Sequence, residues 1–350
     1  MNKHLALALI LFVLSSLLVG CNMLSGETKI NEGIVTQEKA TIRSSTAPAS
    51  LPLAEVKRGD HLDILEQTQV KTPTQIEEWY KVRMKAGQAV EGWIQARYVA
   101  SKSIVDKVQE LYEKSKVIPS QGTGRLKVQT KLRVEPGGDV LTFLPRGTMV
   151  EIVSKTRTTI KPEKQEDTDD TDEVSEEPEA RTVLWYQVRL PDSEVLRAGW
   201  VGAQQVQLDV PDDILYLEGE GRVFTGWVVF DQTRDKDGSA HDDYIAVMKS
   251  LGSDTPFDFT RLWVLVYVPG KEPGKGYYTN KGLENGLRGM LPITLTTSSG
   301  RRGFTFHELD ENGKPVPVEY EITGTIPNIR VQRISPKIVI KPAPKTRPKR

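Results

Sequence analysis

The chain has 350 residues, and its 47 basic and 47 acidic side chains cancel. That balance gives no global steering toward nucleic acid or anionic lipid. The length predicts two to four domains.

Residues 1–20 read as a targeting segment and not as part of the fold. Lys3 and His4 give a short basic start, and Leu5 to Val19 is apolar apart from Ser15 and Ser16. The run is too short for a membrane span of about 20 residues and suits a secretory leader. It closes on Leu18, Val19, Gly20 and Cys21, which resembles a bacterial lipobox. The resemblance implies cleavage before Cys21, acyl chains such as palmitate on that residue, and an anchor in the membrane. In a diderm bacterium Asn22 after the cysteine points to the outer membrane. An ordinary leader with a chance cysteine is the alternative. Two or three acyl chains anchor stably, at roughly 0.8 kcal/mol per buried methylene. Cys21 is the one cysteine in the chain, so a lipidated form keeps no disulfide, no Cys-ligated metal and no Cys nucleophile. Each domain must then hold itself together by burial. Cleavage also removes Lys3, leaving 46 basic against 47 acidic residues.

Residues 21–33 read as a lipidated polar tether. Beyond it the chain states one pattern twice. Ala40-Thr41-Ile42-Arg43, Arg58-Gly59-Asp60, Trp79-Tyr80-Lys81-Val82-Arg83 and Gly92-Trp93-Ile94 form the first copy. Thr130-Lys131-Leu132-Arg133, Arg146-Gly147-Thr148, Trp185-Tyr186-Gln187-Val188-Arg189 and Gly199-Trp200-Val201 form the second. The same landmarks in the same order predict two copies of one domain, over 34–101 and 123–210. Leu62 and Ile64, like Val150 and Ile152, alternate with polar neighbours as half-buried strands do. The alternation sends Trp79 and Tyr80 to opposite faces of one strand. Glycine before tryptophan suits a bulge or a close backbone approach. Several short strands with turns between them predict a small β-barrel.

These residues together resemble bacterial SH3-like domains. The resemblance covers nearly half of the chain. It implies a non-catalytic binding module of envelope proteins and cell-wall enzymes, and leaves the ligand open. Aromatic grooves on such barrels can seat extended peptides, which makes Trp79, Tyr80, Tyr98, Trp185 and Tyr186 the candidate groove residues. One ring of each Trp-Tyr pair must face the interior, and the tryptophan of each Gly-Trp pair is expected in the core.

Between the copies, residues 102–118 change period. Ile104, Val108, Leu111 and Tyr112 recur at helical spacing, so an amphipathic helix is expected to pack on one barrel or both. Ser103 with Asp106 could cap its start, and Pro119 and Gly122 end it. A partner-binding helix is the alternative.

The second copy carries an insert over 156–182. Its stretch from Lys161 to Ala180 has ten acidic and two basic residues, which predicts a solvated loop. Cation binding and contact with a basic partner are weaker readings of it.

Residues 211–335 stay β-like without the repeat. Val223 to Phe230 and Leu262 to Val268 are strongly apolar and read as central strands. Tyr244 to Leu251 reads as one short helix, and Asn312-Gly313 as a hairpin turn. An antiparallel β-sandwich is expected. Asp235, Asp237 and Asp242 are weak metal candidates, since Asp-Gly runs are chiefly turns. No zinc spacing and no common serine-nucleophile setting occurs in the sequence. The tail, 336–350, has six basic residues and four prolines and reads as extended chain or a contact for anionic head groups or polymer.

The fold class expected is mainly β: two SH3-like small barrels joined by an amphipathic helix, then a sandwich-like domain. The function expected is a membrane-anchored, non-catalytic binding protein of the bacterial envelope. Its barrels would bind cell-wall peptide (peptidoglycan) or a protein partner, with no cofactor and no nucleic acid. One alternative is an assembly subunit of an envelope complex that uses the C-terminal domain as its interface. The other is a hydrolase in 211–335.

Overall fold

Apolar residues, in many stretches alternating with polar ones, drive most of the described residues into sheets. The computed structural model describes residues 29–72, 76–85, 89–160, 181–193, 195–253, 255–298 and 301–336. The leader, the lipobox with Cys21, the acidic stretch 161–180 and the tail beyond 336 lie outside them. The protein is mainly β, 59% strand and 9% helix, in curled antiparallel sheets. It divides into two units, Met1–Ser103 and Ile104–Arg350.

The first unit holds β1 (Asn31–Val35), β2 (Lys39–Arg43), β3 (Pro52–Lys57), β4 (His61–Lys71), β5 (Ile76–Met84), β6 (Glu91–Gln95) and β7 (Val99–Ser101). They form one sheet in the order β3-β2-β6-β5-β4-β1-β7. Ile42, Leu62, Ile64, Val82 and Ile94 meet inside its curl. Leu62 and Ile64 point inward together, as their alternation predicts.

α1 (Lys102–Ser115) lies in the second unit from Ile104 onward. It is followed by β8 (Thr123–Leu126), β9 (Thr130–Arg133), β10 (Val140–Leu144), β11 (Met149–Ile160), β12 (Arg181–Arg189), β13 (Ala198–Gly202) and β14 (Val206–Leu208). Their order is β10-β9-β13-β12-β11-β8-β14. Position for position, that is the order of the first sheet. The two tryptophan-bearing halves therefore share one topology.

The reason for glycine before tryptophan is the same in both. A Cβ at Gly92 would lie 2.5 Å from the Arg43 carbonyl oxygen. One at Gly199 would lie 2.5 Å from Leu132 Cδ1 and 3.0 Å from the Arg133 carbonyl oxygen. The tryptophan that follows pairs with that arginine in each sheet, Trp93 with Arg43 and Trp200 with Arg133.

Some expectations are corrected here. Trp93 and Trp200 are half-buried rather than core residues; Ile94 and Val201, one position on, take the inward places. The second-copy insert is shorter than 156–182, because Thr156–Ile160 pair with Arg181–Trp185 as an extension of the β11–β12 hairpin. Ser103 lies within α1 rather than at its cap. Ile104 and Val108 of α1 pack against the core of the second sheet.

The remaining strands follow α2 (Asp212–Leu215): β15 (Arg222–Arg234), β16 (Ala240–Ser250), β17 (Phe259–Val268), β18 (Tyr277–Ser298), β19 (Arg301–Leu309), β20 (Pro315–Thr323) and β21 (Arg330–Arg333). All seven pair in chain order in a single sheet, not in the two sheets of a sandwich. The long β18 pairs β17 through its first part and β19 through its second. Irregularities in its register, between Val264/Leu265 and Met290/Thr294 in those two ladders, let the strand bend and the sheet curl. One sheet can then enclose Phe259, Phe304, Phe306 and Ile293 without a second layer.

Tyr244 to Leu251 is strand up to Ser250, not helix. Its apolar residues from Tyr244 to Met248 are buried on both faces, so they show no alternation to read. The Asn312-Gly313 turn stands as expected: Asp310 Oδ1 accepts from the Asn312 and Lys314 N–H groups at 2.9 and 2.8 Å.

Candidate functional site

A groove of about 630 Å³ opens on the first sheet, and Trp79 of β5 and Tyr98 border it together. They come together because β5 pairs with β6, and a single 3-10 turn, Ala96–Tyr98, swings the chain from β6 into β7. Trp79 is only 6% exposed. Its Nε1–H donates to Glu77 Oε2 at 3.3 Å, and Gln95 Nε2–H donates to the same oxygen at 3.1 Å. This carboxylate fixes the indole and the Gln95 amide at the groove wall.

Tyr98 is held differently. The Arg97 guanidinium lies 4.8 Å from its ring centroid and donates to its hydroxyl at 2.8 Å. Arg43, the end of β2, donates to the Ser50 carbonyl at 3.3 Å and also lines the groove. Lys39, Lys71 and Pro48 also border the space.

Tyr80 does not join Trp79. It packs against the core of the first sheet, where burial raises its hydroxyl pKa. The structure thus sorts each Trp-Tyr pair by face: the tyrosine packs on the core inside the curl, and the tryptophan lies on the other face, where it is nonetheless covered, at 6% and 7% exposure.

The second copy repeats the sorting with other partners. Tyr186 belongs to the core, and burial raises its pKa to about 12. Trp185 donates from Nε1 to Thr158 Oγ1 at 2.9 Å, with Arg133 5.9 Å from its ring. Gln205 stands at the end of the 3-10 turn where the first copy has Tyr98. Among the described residues, the second copy therefore lacks the Trp-Tyr combination that borders the groove of the first.

Sequence reasoning missed Glu77, Gln95, Arg43 and Arg97 as groove residues. Arg43 was visible as the end of the Ile-Arg landmark. The others carry no motif.

In the C-terminal sheet the aspartate candidates serve a turn. Asp235 accepts from the Lys236 N–H at 2.7 Å, the Gly274 N–H at 2.9 Å and the Tyr267 hydroxyl at 2.9 Å. The Lys236 N–H foremost holds its carboxyl below the usual range. Asp237 accepts from Ser239, and Asp242 from Gln232. Among the described residues no three His, Cys, Asp or Glu come together as metal ligands.

One arrangement there has the atom order of a serine triad. Ser239 Oγ lies 3.3 Å from His241 Nε2, and His241 Nδ1 lies 3.6 Å from Asp213 Oδ2. Two details work against attack. The Ser239 hydroxyl donates to Asp237 Oδ1 at 2.6 Å, and not to the imidazole. The nearby N–H groups of Gly238 and Ser239 already donate to the Asp235 carbonyl and Asp237 Oδ1, so neither can stabilise an oxyanion.

Within the second unit polar groups cross the junction between its two sheets, alongside Leu208, which packs against the cores of both. Gln121 is fully buried; its backbone N–H donates to the Ile152 carbonyl and its carbonyl accepts from the Trp227 N–H. Arg157 reaches Asp258 at 3.3 Å, and Lys155 Nζ donates to the Thr225 carbonyl at 2.8 Å.

No protein-family model matches the chain, and no curated protein matches it.

Proposed function

We propose that the chain is a lipid-anchored, non-catalytic binding protein of the bacterial envelope, tethered through Cys21, whose two copies are SH3-like barrels. The groove of the first copy takes an extended peptide, from the cell wall or from a protein partner. The observation that carries this reading is that Trp79 and Tyr98 both border a space of about 630 Å³. The Tyr98 ring, fixed by Arg97, and the edge of the Trp79 indole, fixed by Glu77, are preorganised, and a chain laid on them loses little by ordering the protein. The repeated topology of the two sheets supports descent from one module. The lack of a motif for chemistry in the sequence supports a binding role.

The test is a pull-down of purified protein on insoluble peptidoglycan. Wild type is retained and Tyr98→Ala passes through, with thermal melting to show that the variant is folded. Equal retention of the two would remove the groove from the account. The anchor is tested separately: palmitate labels the wild type and not Cys21→Ser.

A second reading, an assembly subunit, is favoured by Tyr277 and Leu283 on β18, which are 62% and 59% exposed. A partner docked on this sheet would cover both side chains. A crosslinking survey in cells that recovered only wall fragments would argue against it.

A further inference from the structure

We infer that the groove of the first copy selects peptides that carry carboxylates, so that its ligand is an acidic extended peptide; this rests on the peptide-groove reading above. Four cationic side chains, Lys39, Arg43, Lys71 and Arg97, border the space against one carboxylate, Glu77. The chain as a whole has no net charge, so this local excess is a property of the groove and not of the composition.

The bonds that hold the two guanidinium groups do not cancel it. Arg43 donates to the Ser50 carbonyl and Arg97 to the Tyr98 hydroxyl, both neutral oxygens. Each guanidinium has five N–H donors, so those bonds leave donors for a carboxylate, which it can hold in a two-pronged fashion. Lys39 also pairs with Glu55 at 3.4 Å, with both side chains more than half exposed; such a pair is worth little and exchanges readily.

Peptide is favoured over a uniform polyanion by the other half of the lining. Tyr98, Ala47, Pro48 and Val70 present apolar surface, with buried Trp79 and Ala40 behind them, which suits the side chains of an extended chain. Glu77 sits beside Trp79, where the ligand must place an uncharged side chain between its carboxylates.

The experiment is fluorescence anisotropy of the purified protein with a labelled peptide alternating Glu and Ala. The same peptide with Gln for Glu is the neutral comparison, and inorganic polyphosphate is the competitor. The Glu peptide should bind about tenfold tighter than the Gln peptide at low salt, and the preference should shrink at about 0.5 M salt as screening shortens the reach of charge. Arg43→Gln with Arg97→Gln should abolish the preference, and Lys39→Gln with Lys71→Gln should reduce it if the arginine variant does not fold. Equal binding of both peptides would overturn the charge selection and leave the groove reading standing. Binding of neither would overturn both. Polyphosphate displacing the Glu peptide at equal charge would overturn the peptide assignment in favour of a general anion site.

Discussion

The side-chain amide of Gln121 and the backbone of Ile293 hold each other by two hydrogen bonds. The Ile293 N–H donates to Oε1 at 2.7 Å, and Nε2–H donates to the Ile293 carbonyl at 2.9 Å. Because the Gln121 backbone also bonds Ile152 of β11 and Trp227 of β15, one residue joins the second and third sheets at three strands. Gly226 approaches it so closely that a Cβ there would lie 2.8 Å from the Gln121 carbonyl oxygen.

Replacing Gln121 by Ala leaves the N–H and C=O of Ile293 buried without these partners. Each unsatisfied group costs roughly 1–3 kcal/mol, so Gln121→Ala should lower stability by about 2–4 kcal/mol in urea unfolding of the second unit. A loss below about 0.5 kcal/mol would mean that the amide is not a joint.

Arg189 and Arg83 occupy the same place in the repeat and should respond differently. Arg189 donates to Glu151 at 2.8 Å and to the Ser115 and Ile118 carbonyls, both at 2.9 Å, at the end of α1. Arg83 makes a single ion pair, with Glu91, near the surface. Arg189→Ala should cost about 2–3 kcal/mol, because helix-end carbonyls and a carboxylate lose their donor. Arg83→Ala should cost under about 1 kcal/mol. Paired denaturant curves check the contrast.

Gly92→Ala should destabilise the first unit by about 2 kcal/mol or more, since the new methyl meets the backbone of Arg43 and backbone cannot step aside cheaply. Gly147→Ala has open space around its Cβ but a φ of +83°, and should cost about 1 kcal/mol from backbone strain alone. Thermal melts of both variants rank the two effects.

Lys155 gives a pH prediction. Burial foremost lowers its pKa to about 8 from 10.5. Below pH 8 the lysine is charged in both folded and unfolded chains, and the full penalty of burying that charge is present. Between about pH 8 and 10.5 the unfolded chain binds more protons than the folded one, so stability rises with pH. Lys155→Met removes that slope. The stability difference, variant minus wild type, should therefore shrink as pH rises through this window, and a difference flat from pH 7 to 10.5 would contradict it.

The repeat was legible because its landmarks are positions where only certain residues serve. Gly92 and Gly199 admit no side chain, Leu62 and Ile64 alternate, and Asn312-Gly313 turns a hairpin. The C-terminal sheet was less legible for physical reasons. Tyr244 to Met248 is buried on both faces, which erases the two-residue period. Asn285-Gly286 has the composition of a turn, yet β18 runs through it, with Gly286 at φ +76° beside a register shift in the β17 ladder; the same dipeptide serves a bulge as well as a turn. In the groove, Trp79 and Tyr98 could be proposed from the sequence, but their separation from Tyr80, Tyr186 and Trp185 required the strand faces and the turn after β6. Glu77 and Arg97 act through position alone and leave no pattern to read.

The most direct measurement of the groove assignment is an NMR titration that follows the indole N–H signals of the six tryptophans as soluble muropeptides are added. The account predicts a saturable shift of the Trp79 signal, whose N–H already contacts Glu77, while Trp185 and Trp227 stay in place. Stationary signals from Trp79 and Trp93 together with movement in the second unit, or no movement at all, would contradict it.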